Sequence, residues 1–147
     1  MKGVLLLDLD HFKVINDSLG HAGDQLLQAV ANRLAGVIQA DNVLARFGWD
    51  EFIIFMPKIL SAEEAFEVSK EILKVMKEPF YIYGQKFTIS PSIGISLHPI
   101  HGENMEDLIK NTDLAMYHSK EQGKNCFSLF TPLMKEKAIL RMNMLTK

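Results

Sequence analysis

Four carboxylates stand where they could act together. Asp8 and Asp10 close an apolar run, Gly3 to Leu9, and Asp50 and Glu51 fall in the short break between two more, Val43 to Phe47 and Phe52 to Met56. A strand turns successive side chains to opposite faces, so Asp8 and Asp10 share one. The break Gly48-Trp49-Asp50-Glu51 is too short for anything but a hairpin. If that hairpin lies beside the first strand, all four acids converge on one point. Converging carboxylates in a partly buried place repel one another unless a cation neutralises them. An all-oxygen set suits Mg²⁺, which commonly takes one or two carboxylates together with substrate phosphates. The chemistry that follows is phosphoryl or nucleotidyl transfer. Taken alone, the same residues also fit exposed strand ends and turn positions, and that plainer reading is the commoner one.

The elements that must position these acids can be read from hydrophobic periodicity. Gly3 to Leu9 is a continuous apolar run, the pattern of a strand buried on both faces. His11 to Leu19 carries Phe12 and Ile15 one turn apart and stops at Gly20, which predicts a short helix. A longer helix runs from about Gly23 to Ile38. Leu27, Val30, Leu34 and Val37 form its stripe, and Asp24 sits in the first turn, where the dipole favours negative charge. Ser61-Ala62-Glu63-Glu64 has the spacing of a capping box and opens a helix that must end before Pro79. Tyr81 to Ile89, bent around Gly84, and Ser92 to Leu97 read as further strands. Asn104 to Gln122 is a long helix with Leu108, Thr112, Ala115 and Ser119 on one face and Gly123 as its stop. Cys126 to Phe130 is a last short strand.

This order predicts an α/β fold of the α+β sandwich kind, with helices flanking a mainly antiparallel central sheet rather than a doubly wound parallel one. The tail from Thr131 to Lys147 is rich in Lys, Met and Leu and reads as a helix with no domain left to pack against. The expected division is a domain over 1–130 and a helical linker over 131–147.

Bulk composition narrows the setting. The chain has 147 residues, enough for one domain with its own core, with 48% hydrophobic and 23% charged residues. A net charge of −2 argues against a nucleic-acid surface. One cysteine, Cys126, excludes an internal disulfide framework and suits a reducing compartment. No apolar run has the length of a membrane segment, and the apolar start runs straight into Asp8 with no cleavage-site pattern. A cytoplasmic location is expected.

Wider context decides between the two readings of the acids. Leu7-Asp8-Leu9-Asp10-His11-Phe12-Lys13-Val14-Ile15-Asn16-Asp17, then Gly20-His21 and Gly23-Asp24, then Arg46-Phe47-Gly48-Trp49-Asp50-Glu51-Phe52 resemble the successive motifs of GGDEF domains. Ser92-Ile93-Gly94-Ile95-Ser96, Asp113-Leu114-Ala115-Met116-Tyr117, Lys120 and Gly123-Lys124-Asn125 resemble the same family in the same order. The resemblance implies a palm-like, nucleotide-cyclase-like fold and a diguanylate cyclase, which condenses two GTP into the bacterial second messenger cyclic di-GMP and releases two pyrophosphates across a homodimer.

By motif, Asp8, Asp50 and the Leu9 carbonyl would hold the metal, two Mg²⁺ per half-site with Mn²⁺ as an alternative. Glu51 would sit beside the reacting 3′-hydroxyl. Asn16 and Asp24 would bond the guanine edge, rejecting adenine through a buried polar match. Phe12 and Lys13 would lend backbone N–H groups to the phosphates beside Gly48, and Lys120 and Lys124 would neutralise the triphosphate. Four apart, the two lysines would share a helix face.

The sequence also departs from the family. Trp49 replaces the second glycine of the signature. A tip this tight ordinarily needs glycine, for a positive φ or for close approach of a ligand. Turnover is therefore expected to be impaired, while metal ligands and guanine contacts survive. Gly20 to Asp24 is one residue shorter than usual. The family's product-inhibition Arg-x-x-Asp falls on Gln39 to Asn42, with neither charge present, so no feedback site is expected. Lys124 stands where many members have arginine, with loss of bidentate contact. The family's usual N-terminal helix is missing, and the tail resembles the linker that leads into an EAL phosphodiesterase domain. A covalently linked sensor and an EAL domain are thus expected partners in a longer protein. The alternative to a weak cyclase is a catalytically silent GTP-binding or dimerisation module that regulates an attached domain.

Overall fold

The computed structural model describes residues 1–20 and 22–145. The apolar run at the start forms strand β1, Lys2–Leu9, followed by helices α1, Phe12–Leu19, and α2, Ala22–Ala35. The hairpin of β2, Val43–Arg46, and β3, Glu51–Met56, comes next, then helix α3, Ala62–Val75. A small hairpin, β4 Phe80–Ile82 and β5 Gln85–Phe87, leads to the long strand β6, Pro91–His98. Helix α4, Met105–Glu121, strand β7, Phe127–Leu129, and helix α5, Pro132–Leu145, complete the chain. The central sheet has the order β2-β3-β1-β6-β7, and only the β6–β7 pair is parallel. The sequence-based fold class holds.

Period-two alternation along β1 sorts the two faces of this sheet. Leu5, Leu7 and Leu9 join Leu26, Val30 and Leu34 of α2 and Ile72 of α3 in the main core. Val4 and Leu6 point the other way, and so does Asp8. The matching positions on β6 are Ser92, Gly94 and Ser96, which pair with Asp8, Leu6 and Val4. These small residues let α4 lie directly on the sheet. A Cβ on Gly94 would stand 2.2 Å from the Thr112 carbonyl oxygen and 2.3 Å from the Met116 nitrogen. Ser96 and Thr112 share a hydroxyl hydrogen bond, and the Ser119 hydroxyl donates to the Ile93 carbonyl at 2.8 Å. The expected face of Leu108, Thr112, Ala115 and Ser119 is buried throughout.

Three expectations are corrected. Tyr81 to Ile89 is not one bent strand but the β4–β5 hairpin, turned at Tyr83 and Gly84 with φ of 51° and 79°. Two consecutive positive φ values match the right-handed twist of a two-residue hairpin. Helix α2 stops at Ala35, not Ile38, where the Gly36 N–H divides between the Asn32 and Arg33 carbonyls. The tail helix α5 does have something to pack against: Arg141 pairs with Glu121 at 3.1 Å and lies 4.6 Å from the Tyr117 ring centroid, both on α4. Residues 146–147 of that tail lie outside the described residues.

Candidate functional site

The site forms where β1 ends. Asp8 stands directly opposite Glu51 in the β1–β3 ladder. One residue on, the Leu9 N–H donates to the Asp50 carbonyl at 3.1 Å and clamps the hairpin tip to the end of the strand. In extended backbone the N–H and C=O of one residue face the same neighbour, so the Leu9 carbonyl belongs to this edge as well. Asp8, Asp50 and Glu51 each bring one carboxylate oxygen to within 4.8 Å of the others.

This cluster is electrostatically unfinished. Asp8 Oδ2 pairs with Lys120 Nζ at 3.1 Å, but Oδ1 is buried with no hydrogen-bond partner. A buried carboxylate oxygen without a donor, facing two further acids, carries a desolvation cost that Lys120, paired to the other oxygen, offsets only in part. Burial pushes the Asp8 carboxyl up to about 6, Lys120 works against that, and Asp50 adds to it. Glu51 is also raised, by burial first and then by Asp8, Asp113 and Asp50. An all-oxygen set with one orphaned oxygen is the donor chemistry that a hard divalent cation fits.

Asp10 does not join the cluster. The expectation that four acids converge is corrected to three. Asp10, one residue past the end of β1, turns its carboxylate to the same Lys120 as Asp8, but it is taken up by other donors. Ser92 donates to Oδ1 and Ser90 to Oδ2, both at 2.6 Å, and the Asn125 N–H reaches Oδ2 at 3.1 Å. The signal for this was Ser90-Pro91-Ser92, two hydroxyls at strand spacing opposite the end of β1.

The lysines separate. Lys120, in the last turn of α4, reaches both Asp8 and Asp10. Lys124 is beyond the helix, with φ of 66°, so the two do not share a helix face. Gly123 at φ of 112° ends the helix before that spacing can repeat.

The hairpin tip overturns one expectation about Trp49. Neither Gly48 nor Trp49 has a positive φ, so the tip needs no glycine for its backbone. Arg46 holds it instead, donating to the Gly48 and Trp49 carbonyls at 3.2 and 2.6 Å. The Trp49 indole lies edge-on to the Phe12 ring at 5.5 Å between centroids and remains half exposed.

Phe12 and Lys13 open α1, whose first N–H groups have no intrahelical partner and carry the positive end of the dipole. Asn16 is packed on the first turn of α2, where a Cβ on Gly23 would fall 1.7 Å from its Oδ1. Asp24, next in sequence, is exposed and lines an open cleft of about 430 Å³ with Leu27, Gln28, Arg46 and Phe52. Asn16 and Asp24 therefore meet at one corner; His21, between the two helices, lies outside the described residues. On the opposite flank, Gln39 and Asn42 border a groove whose wall carries Glu64, Glu67 and Glu71.

With this geometry in hand, comparison with known proteins gives the class. The family model described as "Diguanylate cyclase, GGDEF domain" matches residues 1–126. The chain belongs to that family. It is 43% identical over 129 residues, 87% of its length, to the cyclic di-GMP phosphodiesterase NbdA of Pseudomonas aeruginosa, and spans 16% of that protein. A solved EAL/GGDEF domain protein from M. capsulatus superimposes with a TM-score of 0.84 at 42% identity, covering 89% of this chain and 85% of that one. The GGDEF domain of TpbB from Pseudomonas aeruginosa does so with a TM-score of 0.86 at 35% identity, covering 88% and 82%. No described helix is long and apolar enough to cross a membrane.

Proposed function

We propose that this domain binds GTP with a divalent cation at the Asp8–Asp50–Glu51 cluster, and that Trp49 holds its diguanylate cyclase turnover low. The observation that carries the reading is the convergence of three carboxylates around the unpartnered Asp8 Oδ1. Asp8, Asp50 and the Leu9 carbonyl are the metal ligands in this reading. Mg²⁺ bound there would supply Lewis-acid polarisation of the attacking and leaving oxygens.

The rest is done by the chain. Glu51, whose proton affinity is raised by burial and neighbouring acids, is the group that accepts a proton from a 3′-hydroxyl in this reading. The opening N–H groups of α1 face the phosphates, with Lys120 beside them. Asn16 and Asp24 present an acceptor and donor pair to the guanine edge, and ATP leaves that pair unmatched.

Trp49 acts by occupancy rather than strain. Its indole rests on Phe12, at the start of the helix whose N–H groups the phosphates need. A substrate seated around that obstacle is held out of line for attack, and orientation accounts for much of such catalysis. A homodimer remains the arrangement in which two such half-sites could meet. The second reading, a silent domain regulating a phosphodiesterase, is favoured by the small share, 16%, that the chain takes of NbdA, a named phosphodiesterase.

Trp49 is the only tryptophan, so its fluorescence reports the site directly. Titration with GTP in Mg²⁺ is expected to change it saturably, ATP to do so much less, and Asp8→Asn to abolish the Mg²⁺ dependence. Equal responses to GTP and ATP, or none to either, would overturn the assignment.

A further inference from the structure

Asp10 is buried, 2% exposed, and lies outside the acid cluster, yet it ties the end of β1 to the start of β6, to Lys120 and to the turn after α4. It follows β1 directly. Ser90 and Ser92 hold its carboxylate from the start of β6. Its Oδ2 accepts the Asn125 N–H, and its Oδ1 lies 3.6 Å from Lys120 Nζ. Both oxygens are thus occupied by donors of the chain itself, which leaves Asp10 no role as a metal ligand.

Lys120 has two carboxylate neighbours of different kinds. Asp8 belongs to the cluster that a divalent cation would claim, and a cation there repels an ammonium. Asp10 stays available, because no cation competes for it. An ammonium has three donors, so one end can lean on Asp10 while another meets a phosphate oxygen. Asp10 also secures the turn after α4. Lys124 and Asn125 both take left-handed backbone, with φ of 66° and 51°, which residues other than glycine rarely adopt. The bond from the Asn125 N–H to Asp10 ties that turn to the end of β1, beside the Lys124 N–H bond to the Ser119 carbonyl that closes it.

We propose that Asp10 is a positioning residue for the triphosphate: it keeps the Lys120 ammonium and the Lys124–Asn125 turn at the site when a metal ion takes Asp8. The proposal rests on the GTP-binding reading above. It predicts a defect that grows with the number of phosphates.

The test is Trp49 fluorescence titration of the whole chain with guanosine, GMP and GTP in Mg²⁺. Asp10→Asn keeps the shape and an acceptor but removes the charge. Loss of one charge-assisted contact predicts roughly tenfold weaker GTP binding, a smaller loss for GMP and none for guanosine. In a Lys120→Met background, Asp10→Asn is expected to weaken GTP binding far less, because its partner is gone. Should Asp10→Asn not fold by circular dichroism, Ser90→Ala with Ser92→Ala loosens the same carboxylate and is expected to give the same grading, more weakly. An equal loss for all three ligands, or an undiminished effect without Lys120, means a general structural role and overturns the proposal. GTP binding that survives Asp10→Asn intact refutes the proposal alone, whereas a wild-type chain that binds no GTP refutes the functional reading with it.

Discussion

Asp8 carries an electrostatic cost that Lys120 offsets only in part, with one oxygen buried and unpartnered. Its folded-state pKa is raised above the ordinary 3.8 to about 6, so the folded protein binds a proton more readily than the unfolded one. The stability this contributes is complete below about pH 4 and is lost as pH rises through 6. At pH 8 without divalent cations, Asp8→Asn is therefore expected to stabilise the protein, by on the order of 1–3 kcal/mol at about 1.4 kcal/mol per pKa unit. At pH 4 the same substitution gains nothing, and urea titrations at the two pH values check this. Mg²⁺ should raise the wild-type melting temperature more at pH 8 than at pH 5, because protons compete for the same oxygens. His101 titrates in the opposite sense. Burial lowers its pKa, and its Nδ1 accepts the Leu97 N–H at 2.9 Å. Its contribution is whole above about pH 6.5 and is lost as pH falls toward the lowered value. Proton NMR of the ring follows it, and an unshifted His101 titration contradicts this assignment.

At the scale of elements, the site depends on how closely α4 lies on β6, because that contact carries Lys120 to Asp8. A methyl group on Gly94 has no room against the α4 backbone. Gly94→Ala is expected to cost about 3 kcal/mol or more, beyond ordinary overpacking, since the obstacle is main chain rather than a flexible side chain. A denaturation midpoint unchanged within error would contradict the close approach. The capping box of α3 gives a milder case. The Glu64 carboxylate accepts the Ser61 N–H at 3.2 Å, and Glu64→Ala should cost about 1 kcal/mol in the same assay. Legibility in the sequence followed the strength of the local signal. The capping box, the continuous apolar run of β1 and the α4 face of Leu108, Thr112, Ala115 and Ser119 were readable, because each follows from spacing alone. The β4–β5 hairpin was not, because Tyr83 takes a positive φ that its residue type does not announce. The place of Lys124 was legible and misjudged: Gly123, read as the helix stop, already puts Lys124 beyond α4 and breaks the four-residue spacing.

At the scale of the whole molecule, the sheet order brings acids 42 residues apart in sequence, Asp8 and Asp50, to one edge, with α1 and α4 closing around them. The sequence showed which acids lay at strand ends, but the β1–β3 register decides that Asp8, Asp50 and Glu51 meet, and the β1–β6 register turns Asp10 to the serines. Trp49 was legible as a departure and not as a geometry. A backbone without positive φ, held by Arg46, shows the tip to be well formed, so the effect proposed for Trp49 rests on the space the indole takes and not on backbone strain. The acidic wall beside Gln39 and Asn42 offers a dianionic product no cationic partner, so cyclic di-GMP is expected not to bind there by calorimetry. The most direct test of the account is turnover. The concentrated protein is incubated with GTP and Mg²⁺ beside Trp49→Gly and Asp50→Ala, and cyclic di-GMP is quantified by chromatography. The account predicts little product from the unaltered chain, a gain of at least roughly tenfold in Trp49→Gly, and none in Asp50→Ala. Ample product from the unaltered chain that Asp50→Ala abolishes, or no gain from Trp49→Gly, would contradict it.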